Sequence, residues 1–330
     1  MSSSYAPSEV ELPATSETIS NLSIDPKYKY DATYDNTLVL DYGSFDVRLG
    51  TAGSEYPVKI LPTKPSRMSV LKNSVRMDTI GIESDITKYS DEYQLNVSEN
   101  SLLFADPVNN SRFNKIKLME IFMEKLNLYE VNFANQGCLS LYAHGRMTGL
   151  VVDSGLHSTR VVPIVDGCYM KHASVSSGLS GSTVDKNLQI ALGSCDREFS
   201  ETQIQRIKHK VCYVKKSRES VTKDEIFSLP DGKKISFKQE HLTDPVETMF
   251  RNDDLEENLS VQQLAKKSIS SCELDLRRQL AGNIVLQGGN ACFSGFANRF
   301  TKELNLSLPS GNVKSLTFDK NDRGSTVCTV

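Results

Sequence analysis

Near its middle the chain reads Gln136-Gly-Cys-Leu-Ser-Leu-Tyr-Ala-His-Gly-Arg146-Met-Thr-Gly-Leu-Val-Val-Asp153-Ser-Gly155, and this stretch decides the fold. Its first part predicts a helix, and its last part predicts a short buried strand that ends in a carboxylate. Small residues after a strand let backbone N–H groups approach an anion closely. A carboxylate at the strand end can bind hydrated Mg²⁺, which prefers oxygen ligands. This strand end is therefore a candidate phosphate and metal site.

Two other turns follow the same logic. One is Asp41-Tyr-Gly43-Ser44, and the other is Gly288-Gly289-Asn290 at the end of an apolar strand. Carboxylates from two domains could clamp one metal–phosphate group, and a Gly-Gly turn ahead of a helix could present N–H groups to a nucleotide. A lone turn of this kind is more often structural, but three of them in this order favour a functional site.

The chain contains two related halves. Each opens with an apolar strand that ends in Asp, followed by Gly and Ser and then by another strand, which is a weak internal repeat by pattern. Strands that alternate with helices predict mixed α/β layers.

Four local predictions can be compared with the structure. The pattern predicts a strand near Met77–Ile82, a hairpin turn at Asp166-Gly167 and one long helix over Val261–Leu280. It also predicts an amphipathic helix whose apolar stripe is Phe113, Ile116, Met119, Met123 and Leu126.

The bulk composition argues against several classes of protein. The 330 residues carry 38 Lys and Arg against 41 Asp and Glu, so the net charge of −3 does not favour a strongly electrostatic partner such as bare nucleic acid. No stretch has the roughly 18 apolar residues of a membrane span. The seven cysteines are scattered, without a Cys-x-x-Cys pair, which indicates neither a zinc site nor a disulfide framework and favours the cytoplasm or nucleus.

Several segments resemble actin in the same order along the chain. They are Leu102–Lys115, Cys138–Gly149, Ile207–Val214, Leu229–Gly232, Ser271–Leu280, Ile284–Asn290 and Gly295–Arg299. The chain is identified as a member of the actin family over roughly residues 36–318. Short stretches at 53–57, 163–167 and 288–290 look somewhat like nuclear actin-related subunits of chromatin remodellers and histone acetyltransferases.

The resemblance implies the α/β actin-like ATPase fold, which is ribonuclease H-like. Two lobes with mixed sheets would enclose a cleft for ATP or ADP with Mg²⁺ or Ca²⁺. It implies a first lobe over 36–148, a second lobe over 149–318 and an incomplete return to the first lobe over 319–330. The polar composition of residues 1–35 predicts a disordered tail before them. Residues 63–98 are too few for the usual small upper subdomain, which carries a filament-contacting loop.

Site residues are carried over from the resemblance by position. Asp41 and Asp153 would bind the hydrated metal ion, and Gln136 would help to position the attacking water. Phosphates would be held by Gly43, Ser44, Arg48, Ser154 and Gly155. The nucleoside pocket would be lined by Gly181, Lys208, Gly288, Gly289 and Phe293, with Asn290 in the same turn.

Departures from actin fall in the two phosphate hairpins. Phe45 replaces a Gly, and Arg48 replaces a Lys, which keeps the charge but changes the geometry. Leu156 and His157 replace Asp-Gly, and Arg160 replaces a His. His209 stands where a Glu contacts the ribose. These changes predict weak nucleotide binding and little or no hydrolysis.

Three functions follow from the resemblance. The first is a structural subunit of a multiprotein complex, most plausibly nuclear, with partners such as other complex subunits, actin or other actin-related proteins. The acidic tail, the reduced loop region and the altered hairpins favour it. The second is a cytoskeletal ATPase that polymerises or joins actin or dynactin-type filaments, which retention of Asp41, Gln136 and Asp153 favours. A small-molecule kinase ranks last, because no substrate-side carboxylate stands out.

Overall fold

Two mixed β-sheets form the framework of the chain in the computed structural model. The structure describes residues 37–54, 56–63, 68–71, 74–93, 100–193, 199–215, 225–228, 234–251, 259–308 and 313–317. The expected tail over 1–35 and the expected return over 319–330 lie outside these residues. None of the helices in the described ranges is long and apolar enough to cross a membrane.

The two sheets have the same strand order. The first sheet comprises β1 (Leu38–Tyr42), β2 (Asp46–Thr51), β3 (Lys59–Pro62), β6 (Ser101–Asp106) and β7 (Glu130–Asn135) in the order β3-β2-β1-β6-β7. The second comprises β8 (Gly149–Ser154), β9 (Thr159–Val165), β10 (Cys168–Tyr169), β14 (Ile284–Gln287) and β15 (Ser315–Thr317) in the order β10-β9-β8-β14-β15, with β11 (Val175–Ser177) beside β9. In each, an antiparallel meander of three strands is followed by two parallel strands. The predicted internal repeat is therefore confirmed at the level of topology.

Helices cover both sheets. They are α1 (Thr79–Tyr93), α2 (Arg112–Met119), α3 (Gln136–Ala143), α4 (Gly181–Leu192), α5 (Glu201–Val211), α6 (Gln239–Glu247), α7 (Val261–Ser270), α8 (Leu274–Gly282) and α9 (Phe296–Ser307). Short hairpins pair β4 (Met68–Leu71) with β5 (Ser74–Met77) and β12 (Glu225–Ser228) with β13 (Lys234–Phe237). The predicted fold class, mixed α/β with an actin-like arrangement, is confirmed.

Each sheet has its own hydrophobic core. The first core joins β1, β2 and β6 to α1 and to the chain around Phe122, and Tyr42, Phe104 and Phe122 are almost completely buried in it. The second core is larger and joins β8, β9 and β14 to α4–α7 and α9. These cores fix the central strands, and with them the positions of the turns at the strand ends.

Helix α3 connects the two sheets. It begins where β7 ends, because the side chain of Asn135 accepts hydrogen bonds from the backbone N–H groups of Gly137 and Cys138 and so caps the helix. The buried side chains of Cys138 and Leu141 then pack against the second sheet. Gln136, the first residue of α3, is thereby held at the end of the first sheet.

The structure corrects two predicted elements. The strand predicted at Met77–Ile82 is wrong, because β5 ends at Met77 and α1 begins at Thr79. Asp78 caps α1 by accepting a hydrogen bond from the N–H of Gly81 at 3.1 Å. The long helix predicted over Val261–Leu280 is also wrong, since α7 and α8 are separate helices. The hairpin turn at Asp166-Gly167 is confirmed, and both residues have positive φ.

Helix α2 presents its predicted stripe to solvent. It continues as a π-helix over Glu120–Lys125. The apolar side chains buried here are Leu118 of α2 and Ile121 and Phe122 of the π-helix. The exposed side chains are those of Phe113, Ile116, Met119 and Met123, whose exposed fractions range from 38 to 67 %. Leu126 is the one member of the predicted stripe that packs against the core. The exposed four are called the α2 stripe below.

Candidate functional site

The first candidate hairpin places three charged side chains on one face of the first sheet. Asp41 at the end of β1 lies opposite Arg48 on β2, and Asp46 lies two residues before Arg48 on the same strand. Arg48 donates to Asp41 Oδ2 at 3.2 Å and forms an ion pair with Asp46 Oδ1 at 2.9 Å. Burial by itself would lower the pKa of Arg48, but the carboxylates of Asp41 and Asp46 outweigh this effect and raise the pKa. Burial raises the pKa of Asp46, an effect that Arg48 partly offsets.

Gln136 reaches the same carboxylate from α3. Its Nε2 donates to Asp41 Oδ1 at 2.8 Å, so the two oxygens of Asp41 accept from two different side chains. The structure thus brings Gln136 and Asp41 together.

The second hairpin repeats the arrangement of the first. Asp153 near the end of β8 lies opposite Arg160 on β9, and Gln287 lies beside Asp153 on β14. Burial raises the pKa of Asp153, and this is partly offset by Arg160 and by a hydrogen bond with Gln287. Burial lowers the pKa of Arg160, which is only 7 % exposed. An arginine nevertheless remains protonated in a protein.

The two hairpins meet at their acidic strand ends. The charge of Asp41 also raises the pKa of Asp153, and that of Arg48 lowers it. The carboxylates of Asp41 and Asp153, which are predicted to share a metal ion, are therefore electrostatically coupled.

The glycine turn closes on the second hairpin. Gly288 has a φ of +87°, and a Cβ there would clash with the carbonyl of Ser154 and lie 2.9 Å from Asp153 Oδ1. A side chain at Gly43 in the first hairpin would lie 2.8 Å from the carbonyl oxygen of Asp46. Both positions therefore need glycine for close approach. Gly289 is exposed and has open space around it, and Ser44 is half-buried in the turn after Gly43.

Hydrogen bonds tie the remaining backbone of the site together. The amide Nδ2 of buried Asn290 donates to Ser154 Oγ at 3.1 Å and to the carbonyl of Gly155 at 2.8 Å. The N–H of Gly181, at the start of α4, donates to the same carbonyl at 2.9 Å. These contacts fix the tip of the second hairpin against α4 and the glycine turn.

Lys208 and Phe293, two of the residues predicted to line the nucleoside pocket, are buried and contact other parts of the protein. Lys208 is 2 % exposed, pairs with Asp185 at 2.7 Å and donates to the carbonyl of Gly181 at 3.4 Å. Phe293 is buried in the second core. His157 lies in the same region, where burial lowers its pKa and Asp185 partly offsets the effect.

An aromatic contact joins the first hairpin to α5. The ring of Phe45 lies 5.5 Å, centroid to centroid, from the ring of His209. Phe45 replaces a family glycine and His209 a family glutamate, so a new contact stands between the phosphate and ribose sides of the predicted site.

Three residues that contact the candidate site residues, Asp46, Gln287 and Asp185, were not predicted from the sequence. Asp46 could have been found, because its spacing of two from Arg48 on a strand places both side chains on one face. Gln287 ends the strand before the glycine turn, but its bond to Asp153 depends on the pairing of β14 with β8. Asp185 has no sequence signal, since only the packing of α4 on α5 brings it to Lys208.

Within the described ranges, no group of three or more His, Cys, Asp or Glu side chains is arranged so that it could hold a metal ion. In a comparison with protein families, the model described as Actin matches residues 82–327. The match includes the second hairpin and the glycine turn, and it begins after the first hairpin.

Proposed function

This chain belongs to the actin family, and on that premise we propose that it is a structural and interaction subunit of a multiprotein complex. It would bind ATP or ADP weakly and hydrolyse little of it. We propose a nuclear complex of the chromatin-remodelling or histone-acetylating kind, with the cytoplasm as the alternative location.

The α2 stripe carries the proposal of an interaction subunit. Three of its side chains, Ile116, Met119 and Met123, line a groove of about 370 Å³ together with Phe133. Charged side chains, among them Arg112, Lys115 and Glu120, also line this groove. A contiguous apolar surface with a polar rim is typical of a protein-binding site. A partner that covered the stripe would remove this surface from water.

Weak nucleotide binding is supported by the altered cleft. The actin fold generally binds a nucleotide with a divalent cation, and in this chain the glycines that permit close approach, Gly43 and Gly288, are present. However, Phe45 contacts His209 across the predicted ribose side, and a ligand would have to break that contact.

Slow hydrolysis is supported by the surroundings of Gln136. Its Nε2 donates to Asp41 at 2.8 Å, so the position of the amide relative to an attacking water is set by this carboxylate. A group that orients an attacking water contributes only when it is within hydrogen-bond reach of that water. We therefore expect phosphate release from ATP to remain near the uncatalysed rate.

Affinity purification of the endogenous protein with mass spectrometry tests the proposal. Stoichiometric recovery of remodeller or acetyltransferase subunits is expected, whereas a free monomer would contradict it. The second candidate, a cytoskeletal ATPase, is favoured by the retention of Asp41, Gln136 and Asp153. Recovery of actin, capping proteins or dynactin-type partners, together with pelleting in Mg-ATP, would favour that candidate.

A further inference from the structure

Both hairpins place an arginine opposite the aspartate that is predicted to bind the metal. Asp41 pairs with Arg48 and Asp153 with Arg160, and in each case the arginine follows the aspartate by seven residues. Side chains of facing residues in an antiparallel pair lie on the same side of the sheet. Arg48 forms an ion pair with Asp41 at 3.2 Å, whereas Arg160 lies opposite Asp153 on the facing strand.

We infer that Arg48 and Arg160 take the place of the divalent cation in this cleft, so that nucleotide phosphate is bound here by guanidinium groups without a metal ion. The inference rests on the proposed nucleotide binding and concerns how that same site neutralises phosphate.

The carboxylates are poorly disposed to bind a cation. The two oxygens of Asp41 already accept from Gln136 at 2.8 Å and from Arg48 at 3.2 Å. Asp153 is hydrogen-bonded to Gln287 and lies beside Arg160. A dication placed between the two aspartates would be repelled by both guanidinium groups, and this repulsion is strong in a partly buried site.

The arginines retain unused donors. The Nε atoms of both Arg48 and Arg160 are buried and have no hydrogen-bond partner. Among the described residues, none forms an ion pair within 4.0 Å of Arg160, although Arg160 is only 7 % exposed. A buried donor without a partner is costly, and it indicates a ligand that the protein does not itself supply.

A phosphate group fits these donors. The guanidinium group is planar and offers parallel N–H groups that match two oxygens of a phosphate. Gly43 and Gly288 have no side chain, and their turns pack closely against the carbonyl groups of Asp46 and Ser154. Arg48 and Arg160 would thus hold the phosphate from the two hairpins, as a metal ion does from two carboxylates.

Titration of the full-length protein with a fluorescent mant-ATP probe, in EDTA and in excess MgCl₂, tests the inference. We expect an affinity in EDTA equal to or higher than that in MgCl₂, because Mg²⁺ neutralises charge that the arginines would bind. An affinity that MgCl₂ increases about tenfold or more, as expected for a metal bridge, would overturn the inference and leave nucleotide binding intact. Failure to bind in both buffers would overturn the inference and the proposed nucleotide binding together.

Substitutions test the inference by whether they increase or decrease the affinity for mant-ATP. Asp153→Asn removes the carboxylate that competes for Arg160 and is expected to increase mant-ATP affinity in EDTA by about three- to tenfold. In a metal-binding site the same change would reduce affinity, and that result would overturn the inference. Arg160→Ala and the polar variant Arg160→Gln are both expected to reduce affinity in EDTA by about tenfold or more. Arg278→Ala on α8, where the arginine is exposed, is the matched control and should leave affinity unchanged.

A variant with the family residues provides the converse experiment. Arg48→Lys combined with Arg160→His leaves one compact charge and an imidazole where two guanidinium groups stood. Binding of mant-ATP should then become stronger in MgCl₂ than in EDTA. A double variant that folds, as checked by circular dichroism, but binds equally in both buffers would contradict the assignment of these two arginines.

Discussion

Arg160 on β9 faces Asp153 across the β8–β9 ladder, and each of the two side chains shifts the pKa of the other. The first sheet has the same relationship between Arg48 on β2 and Asp41 on β1. The repeat of the fold is therefore also a repeat of charge, in which each hairpin carries an arginine opposite an aspartate.

The pairing of Arg160 with Asp153 should be measurable as a coupling energy. Arg160→Met leaves a partly buried carboxylate without its facing cation and should lower the free energy of unfolding by about 1–3 kcal/mol. Asp153→Asn combined with Arg160→Met should cost less than the sum of the single changes, with a coupling of about 0.5–3 kcal/mol. Urea denaturation of the four proteins measures this. Additive effects would mean that the two side chains do not interact.

Gly288 should tolerate substitution by alanine much less well than its neighbour Gly289. Gly288→Ala forces a side chain into a positive-φ position against the carbonyl of Ser154 and should destabilise the protein by about 1–3 kcal/mol. Gly289→Ala meets nothing within 4 Å and should stay within about 0.5 kcal/mol of the parent. Thermal unfolding compares the two, and equal melting temperatures would contradict the close approach of the glycine turn.

The contact between Phe45 and His209 should limit nucleotide affinity. An aromatic contact is worth about 0.5–1.5 kcal/mol, so Phe45→Ala should increase mant-ATP affinity by about two- to tenfold. Tyr129→Ala removes another exposed aromatic side chain, away from the predicted site, and serves as the control. If affinity falls in Phe45→Ala, the ring contributes to binding and does not obstruct it.

Cys138 should resist alkylation at neutral pH. Burial raises the pKa of its thiol to about 11, so only about one molecule in a thousand carries the thiolate at pH 8. Iodoacetamide should therefore label exposed Cys168 before Cys138, as peptide mass spectrometry can show. Because the folded pKa is raised, the contribution of the Cys138 thiol to stability is complete below about pH 9 and is lost as the pH rises towards 11. Equal labelling of both cysteines at pH 8 would contradict the burial.

Much of the fold could be predicted because its signals are local. Asp41 and Asp153 each end a short apolar run and precede small residues, which marks a strand followed by a tight turn. The repeated spacing of seven from Asp to Arg is also readable, since it spans one hairpin. The positive φ at Asp166 and Gly167 follows from the turn residues themselves.

The remainder depends on tertiary packing. The helical stretch formed by α2 and the following π-helix has apolar residues on more than one face. The sequence does not reveal that Phe122 faces the core while Phe113 faces solvent. The break between α7 and α8 is stabilised by Arg277, which donates to the carbonyls of Ser270 and Cys272, and no local pattern predicts that contact. Phe45 and His209 are separated by about half the chain and meet only when both halves are folded.

The α2 stripe carries the claim that the protein is an interaction subunit, and a single paired purification tests that claim most directly. Ile116→Glu places a charge in the stripe, whereas Ile190→Glu places the same charge on α4 at a side chain that is 75 % exposed. Each tagged protein would be purified from cells, and the recovered complex subunits would be quantified by mass spectrometry. We predict that Ile116→Glu loses the stoichiometric partner and that Ile190→Glu retains it. Equal recovery with both variants would contradict the account.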